Sequence, residues 1–402
     1  MRLVLEILLF VPAVPLMVWN VYLALLGLAA SLGYSRRFDG IDTDPPHHDP
    51  LMFLTVIPAH NEENQIGKVA ANVLMRLEED GFAQRVVVIA DNCADKTADA
   101  ARQAGAEVIE RVNPEERGKG YALRYAQDYL MKRTDWNVMV VVDADSELSA
   151  GFFKALQQAF ARGANAVQGY YSALRPGRHW RARLLEVAWS VFNYLRPFGR
   201  TCIGATSGLF GNGFALSRAS LQEVPFTSQS IAEDVEHCLY LLEKGICVRF
   251  APGAVVRARV EEHESSARTQ RVRWESGRFT LAGKWIPRLL SRQDITIRAY
   301  LRHLEAALDL SLPPLIVYAG MIAIMFVFSL IIGFYLLTGI CLCMLIALVF
   351  IIVEGVLLAG VPLSHLASVI WAPWYLLWKI LLYLKPSFWK QTTWIRTDRD
   401  SH

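Results

Sequence analysis

Three acidic motifs and one aromatic, basic motif follow each other through the middle of the chain: Asp91 in Ala90-Asp91-Asn92, the pair in Asp143-Ala144-Asp145, Glu233-Asp234, and Gln270-Arg271-Val272-Arg273-Trp274. Each residue type suits a different part of one reaction. An acid at a strand end can accept an N–H from a nucleobase. A close carboxylate pair can hold a hard divalent cation that bridges two phosphates, because such a cation needs few protein oxygens once the phosphates supply the rest. A later carboxylate can take the proton of an incoming alcohol, and an indole face can stack on a sugar ring. The order points to transfer of a sugar, with strongly apolar sequence on both sides placing that chemistry at a membrane.

Every motif also has a plainer reading. Asp91-Asn92-Cys93 is suited to an Asx turn or to capping the helix expected from Thr97. Gly118-Lys119-Gly120 offers backbone amides and one cation to a diphosphate, as phosphate-cradling turns do. Glu233-Asp234 opens a helix, where acids are favourable in any case; displacement at an anomeric carbon needs a carboxylate base opposite the leaving group, and Asp234 is the choice for it. On a helix, Gln270, Arg273 and Trp274 share one side by their spacing. Arg273 there suits phosphate oxygens, whereas a Trp in that position is as well suited to packing in a core.

The elements that must hold these residues are legible from hydrophobic periodicity. Short apolar runs at Leu51 to Ile57, Val86 to Ala90 and Val138 to Val142 alternate with amphipathic stretches at Glu62 to Leu77, Thr97 to Ala104 and Tyr121 to Leu130. That alternation means βαβ units and a mainly parallel sheet, with ligands at the carboxyl ends of the strands. His60, Asp91 and Asp143 all fall there. Further on come an apolar run from Val167 to Ser172, an Arg- and Trp-rich helix from about His179 to Tyr194, and the Gly-rich stretch 204 to 213. A helix from Glu233 to Lys244, a strand from Ile246 to Phe250 and a helix from about Ser265 to Gly283 complete this region.

Composition excludes an ordinary soluble enzyme: 53% of the 402 residues are hydrophobic, and the mean hydropathy is +0.26. The apolar excess is concentrated in Leu3 to Leu32 and Leu312 to Leu384, both longer than the roughly 20 residues a spanning helix needs. The first reads as an uncleaved anchor rather than a signal peptide, and Arg36-Arg37 after it places the next domain on the cytoplasmic side. Beyond Pro313-Pro314, spans are expected at about Leu315 to Leu337 and Gly339 to Leu358; the Trp-rich third segment, Leu363 to Leu384, fits either a span or an interfacial helix. The formal charge of +3 does not support nucleic-acid binding, and basic clusters beside apolar segments suit anionic lipid heads. His47 and His48 lie in a Pro- and Asp-rich linker, and the six cysteines show no paired metal-ligand spacing.

At these motifs the sequence resembles the family 2 glycosyltransferases, the inverting GT-A group that includes cellulose, chitin-oligosaccharide and hyaluronan synthases. Ile57-Pro58-Ala59-His60-Asn61-Glu62-Glu63 matches the opening motif, with His60 where Tyr is commoner, and Asp91, Asp143/Asp145, Glu233-Asp234 and Gln270-x-x-Arg273-Trp274 match the rest in order. The resemblance implies an α/β GT-A fold, Rossmann-like with a mainly parallel sheet, flanked by N- and C-terminal transmembrane helices. It implies an anchor over 1–34, a linker over 35–50, a cytoplasmic catalytic domain over 51–284, a connection over 285–312, membrane helices over 313–384 and a tail over 385–402.

It also implies roles. Asp91 and Glu62 would contact the nucleotide, Lys119 and Arg273 the diphosphate, Asp143 the donor, and Asp145 a Mg²⁺ or Mn²⁺ ion. Asp234 would be the base. The turn Gly211-Asn212-Gly213, with Glu233, Gln270 and Trp274, would face the acceptor. The expected partners are a nucleotide sugar, UDP-linked by preference, a saccharide or lipid-linked acceptor, and the lipids of the inner membrane. A processive synthase that extrudes its product is less favoured: Glu275-Ser276-Gly277-Arg278 shows no gating-loop motif, and the few spans leave little for a polymer channel. A non-catalytic assembly subunit would have no need for Asp145 and Asp234 together.

Overall fold

The computed structural model of the chain describes residues 2–38, 51–174, 179–227, 230–258, 264–292, 295–385 and 388, with 2–8, 36–38 and 264–269 as backbone only. The linker with His47 and His48, the tail beyond 388 and the side chains of Arg36 and Arg37 lie outside the described residues. Two compact units emerge: Met1–Asp39, Gly177–Gly204 and Lys284–Lys390 form one, and Gly40–Pro176, Ala205–Gly283 and Gln391–His402 the other. The segment Gly177–Gly204, which the sequence places inside one continuous domain, thus belongs to the helical unit. Its Val187 packs with Val356 and Val361. Gly199 brings the helix Arg196–Cys202 so close that an added Cβ would stand 2.3 Å from the Leu26 carbonyl oxygen.

The second unit is built on one eight-stranded sheet. Its strands are β1 (Phe53–Ala59), β2 (Val86–Asp91), β3 (Glu107–Arg111), β4 (Val138–Val141), β5 (Ser146–Leu148), β6 (Ala166–Ala173), β7 (Phe214–Ser217) and β8 (Val248–Ala258), in the order β3-β2-β1-β4-β7-β6-β8-β5. The sheet is mixed, with four parallel pairings, β6 with β8 among them, and three antiparallel ones. β1 pairs in parallel with β2 and β4, and β2 with β3, but β7 runs antiparallel to both β4 and β6, and β5 antiparallel to β8. β3, β5 and β7 are too short or too charged to carry an apolar run, which is why periodicity misses them.

Alternate residues of the central strands go to opposite faces, as a period of two requires. Phe53, Ile57, Val86, Val88, Val138 and Val140 pack on one face with Ile66, Val69, Ala70, Val73 and Leu77 of the helix Ile66–Asp80. Leu54, Val56, Val87, Ile89, Met139 and Val141 pack on the other with the helices Lys119–Leu130 and Glu233–Glu243. Full burial of such side chains contributes about 1.5–3 kcal/mol each, so a slip of one residue in any central strand would expose a whole core face. Since β1 has β2 on one side and β4 on the other, the chain reverses its winding there. The crevice beyond their carboxyl ends is the expected ligand site.

Among the described residues of the helical unit, three helices are long and apolar enough to cross a membrane, Leu9–Ser35, Tyr335–Leu358 and Leu363–Tyr383, and the bent pair Ile297–Ser311 and Leu315–Ile331 makes a fourth if counted as one span. The helix expected over Leu315 to Leu337 stops at Ile331, and Gly333 turns the chain with φ of 73°. At 17 residues it measures about 26 Å, short of the ~30 Å hydrocarbon thickness.

Candidate active site

β1, β2 and β4 end together, and their polar residues meet at that edge. Asp91, the last residue of β2, sits in register with Arg111, the last of β3. The guanidinium donates to Asp91 Oδ1 at 2.7 Å, with the side chains only 6% and 8% exposed, and also to the carbonyl and carboxylate of Glu116. Asn92 donates to the same Asp91 oxygen at 3.1 Å. Burial raises the Asp91 carboxyl from its usual range, against the lowering pull of Arg111. The helix-capping alternative for Asp91 does not hold, because Asp95 accepts the Thr97 N–H at 3.0 Å in that place. Asp91 therefore remains a buried acceptor at the strand end.

Two asparagines shape the loops around it. Asn61 and Asn92 both adopt left-handed backbone, at φ of 55° and 52°, a conformation that Asn tolerates better than most residues. The Asn61 side chain accepts the Ala94 N–H at 2.7 Å, and that of Asn92 accepts the Asn113 N–H at 2.8 Å. His60 Nδ1 donates to the Asp91 carbonyl at 2.7 Å. Glu62 is half-buried beside them, its backbone N–H held by Thr97 Oγ1.

The second cluster gathers residues that are far apart in sequence. Lys119, at the start of its helix, donates to Asp143 Oδ1 and to the carbonyl of Gly211. Gly211 has φ of 76°, and an added Cβ would lie 3.2 Å from Asp234 Oδ2 and 3.8 Å from Lys119 Nζ, so the turn, the base candidate and the cation crowd one point. Burial works to lower the Lys119 ammonium, but Asp143, Glu233 and Asp234 together hold it raised. Glu233 is pushed up to about 7, by burial first and then by the charge of Asp234, with Lys119 and Arg273 pulling the other way. Asp234 is likewise raised by burial, opposed by the Val235 N–H and Lys119. Both residues keep part of their surface open, which is the part a substrate would meet.

Asn212 has a different task from the acceptor contact that the resemblance implies. It is fully buried; its Oδ1 accepts the Asp143 N–H at 3.1 Å and its Nδ2 donates to Ser146 Oγ at 2.8 Å. It aligns the end of β4 instead of facing a ligand. Gln168 pins the same turn, donating to the Asn212 carbonyl at 2.8 Å and accepting the Phe210 N–H at 3.0 Å. Sequence reasoning misses Arg111 and Gln168; the one signal was a charged or amide residue at the end or middle of an otherwise short apolar strand.

Trp274 and Gln270 are half-buried on the helix Glu264–Leu290. That helix is set against the start of the acidic helix at Gly277, where an added Cβ would lie 3.1 Å from the Ala232 Cβ, so Arg273 acts on Glu233 from a neighbouring turn.

The donor set fits a hard divalent cation. Asp143 and Asp145 are two half-buried carboxylates one residue apart at a strand end, and among the described residues no group of three His, Cys, Asp or Glu side chains could hold a metal. An oxygen-only pair with places left for substrate oxygens suits Mg²⁺ or Mn²⁺ better than a closed zinc site.

Residues 50–277 match the model of a family described as glycosyltransferase like family 2. The chain is 25% identical over 229 residues to the "Probable glycosyltransferase YdaM" of Bacillus subtilis, covering 55% of this chain and 54% of that protein. It is 27% identical over 198 residues to a 4,4'-diaponeurosporenoate glycosyltransferase of Staphylococcus haemolyticus, covering 47% and 48%. The chain thus spans about half the length of the curated relatives it matches. Among solved structures it is similar to a mannosyltransferase of Pyrobaculum calidifontis held with GDP-Man and Mn²⁺, at 18% identity and a TM-score of 0.49, covering 90% of this chain and 99% of that one.

Proposed function

The chain belongs to the glycosyltransferase like family 2, and from that premise we propose that it transfers one or a few sugars from a nucleotide sugar to a saccharide or lipid-linked acceptor at the cytoplasmic face of the inner membrane. The observation that carries this reading is the convergence of Lys119, Asp143, Gly211 and Asp234 on one point at the end of β4, with the buried Asp91 at the end of β2.

In this reading Asp91 accepts the imide N–H of a pyrimidine base, and Glu62 lies against the nucleoside. Lys119 and Arg273 meet the diphosphate. Asp143 and Asp145 would hold Mg²⁺ or Mn²⁺, whose chemistry is to neutralise charge on the departing phosphate. Asp234 takes the proton of the acceptor hydroxyl while that oxygen bonds to the anomeric carbon and the bond from that carbon to the diphosphate breaks, so the configuration inverts. Burial that raises Asp234 above the ordinary carboxylate range brings it nearer the operating pH, where a general base works best. Trp274 and Gln270 form the acceptor side. The three apolar helices support the membrane location.

The test is a screen of nucleotide sugars for metal-dependent hydrolysis or transfer by the whole chain in detergent. Release of a nucleoside diphosphate that needs Mg²⁺ or Mn²⁺ and disappears in Asp145→Asn supports the reading. Full activity in excess chelator removes the metal role, and failure to bind any nucleotide sugar with metal would favour a non-catalytic assembly subunit.

A further inference from the structure

Lys119 holds a carboxylate oxygen that a divalent cation would compete for. Its ammonium is bound to one of the two carboxylates available for the metal, Asp143, and to the carbonyl of Gly211, with Asp234 beside that same glycine. Three acids, Asp143, Glu233 and Asp234, surround Lys119, and Arg273 acts on Glu233, so the acids there outnumber the cations. Asp143 cannot give the same oxygen to an ammonium and a metal ion, because the two cations would repel at that distance. A lysine is suited to such an exchange: its compact charge rides on a flexible four-carbon stem.

We propose that Lys119 is an internal counter-cation that makes the metal site conditional on the donor's diphosphate. Without nucleotide it neutralises Asp143 and keeps a free divalent ion from binding well. An arriving diphosphate draws the ammonium to its own oxygens, and Asp143 is released to the metal alongside Asp145. Metal and diphosphate then enter as a unit, each raising the affinity of the other by the same factor. This rests on the reading of Lys119 as a diphosphate contact, and it adds a role for the same side chain before the donor arrives.

The experiment follows free Mn²⁺ by electron paramagnetic resonance as the whole chain in detergent is titrated, with no nucleotide, with inorganic pyrophosphate and with UDP. In Lys119→Met, Mn²⁺ should bind without nucleotide on the order of 10-fold more tightly than in the unaltered protein, a typical size for coupling between sites. Lys119→Arg, which keeps the charge, should stay near the unaltered value, and Arg273→Met, which removes a nearby charge not bound to Asp143, should change it less than Lys119→Met. Pyrophosphate should tighten Mn²⁺ binding in the unaltered protein by a larger factor than in Lys119→Met. Unchanged or weaker nucleotide-free Mn²⁺ binding in a folded Lys119→Met protein overturns the proposal. If pyrophosphate tightens Mn²⁺ binding and UDP does not, the counter-cation role stands and the pyrimidine-donor reading fails.

Discussion

Two clusters of buried charge, one in each unit, differ in balance. In the helical unit Arg200 makes a bidentate pair with Glu305 at 2.6 and 2.9 Å and meets Asp309 at 2.9 Å; Tyr22 donates to Glu305 at 2.6 Å, and Arg196 lies 3.5 Å from Asp309. Two cations face two acids, so the set neutralises itself. In the sheet unit Asp143, Glu233 and Asp234 gather around Lys119, and Glu233 and Asp234 are raised because burial, joined by the repulsion of neighbouring acids, outweighs the cation. A balanced buried network ties helices together; an unbalanced one is incomplete without a ligand, and strongly perturbed groups of that kind mark functional sites.

The sharpest way to separate the two is to remove one member of each. Asp234→Asn should lower turnover by about 10²- to 10⁴-fold, the contribution of a positioned base, while donor binding and the thermal midpoint hold. Steady-state kinetics beside a melting scan checks this; lost donor affinity at unchanged turnover would move Asp234 to the donor side. Arg200→Met should act in the opposite sense. It strands Glu305 and Asp309, which should destabilise the protein by about 3–5 kcal/mol, seen as a lower thermal midpoint in detergent, while the surviving folded fraction binds nucleotide normally. A stable Arg200→Met protein would show that the balanced cluster is not a tie.

Glu233 tests the imbalance through pH. Its folded carboxyl is raised to about 7, above the unfolded value near 4.3, so between these values the folded state binds more protons and stability falls as pH rises. Glu233→Gln should therefore raise stability by about 1–3 kcal/mol above pH 7 and by nothing below about pH 4, measured as melting temperature against pH. A gain that does not vary with pH would refute the shift. A smaller loss of stability than at Arg200 is expected at Trp274. Because it is half-buried, Trp274→Ala should lower stability by about 1 kcal/mol, not the roughly 3–5 kcal/mol of a packed core, and spare donor hydrolysis while transfer collapses. Trp274→Phe should retain part of the transfer. An unstable Trp274→Ala whose folded fraction transfers normally would assign the indole to the core.

The sequence alone determines the central βαβ units, the apolar ends and the order of the acidic motifs, because these depend on local periodicity and on residue type. Val86 to Ala90 and Val138 to Val142 have to be strands buried on both faces, and the acids after them have to fall at the strand ends. Tertiary structure decides what depends on distant partners. Arg111 pairs with Asp91 only because β3 lies beside β2, and Asn212 leaves the acceptor side only because the turn at Gly211 folds against the end of β4. Antiparallel β7 makes the sheet mixed, and residues 177–204 join the helical unit through contacts with Leu26, Val356 and Val361. Lys119 becomes the partner of Asp143 in the same way. Whether a charge serves as a tie or a site is set by how many opposite charges the fold brings within reach and how far it removes them from water, and neither quantity is written in the spacing of residues along the chain.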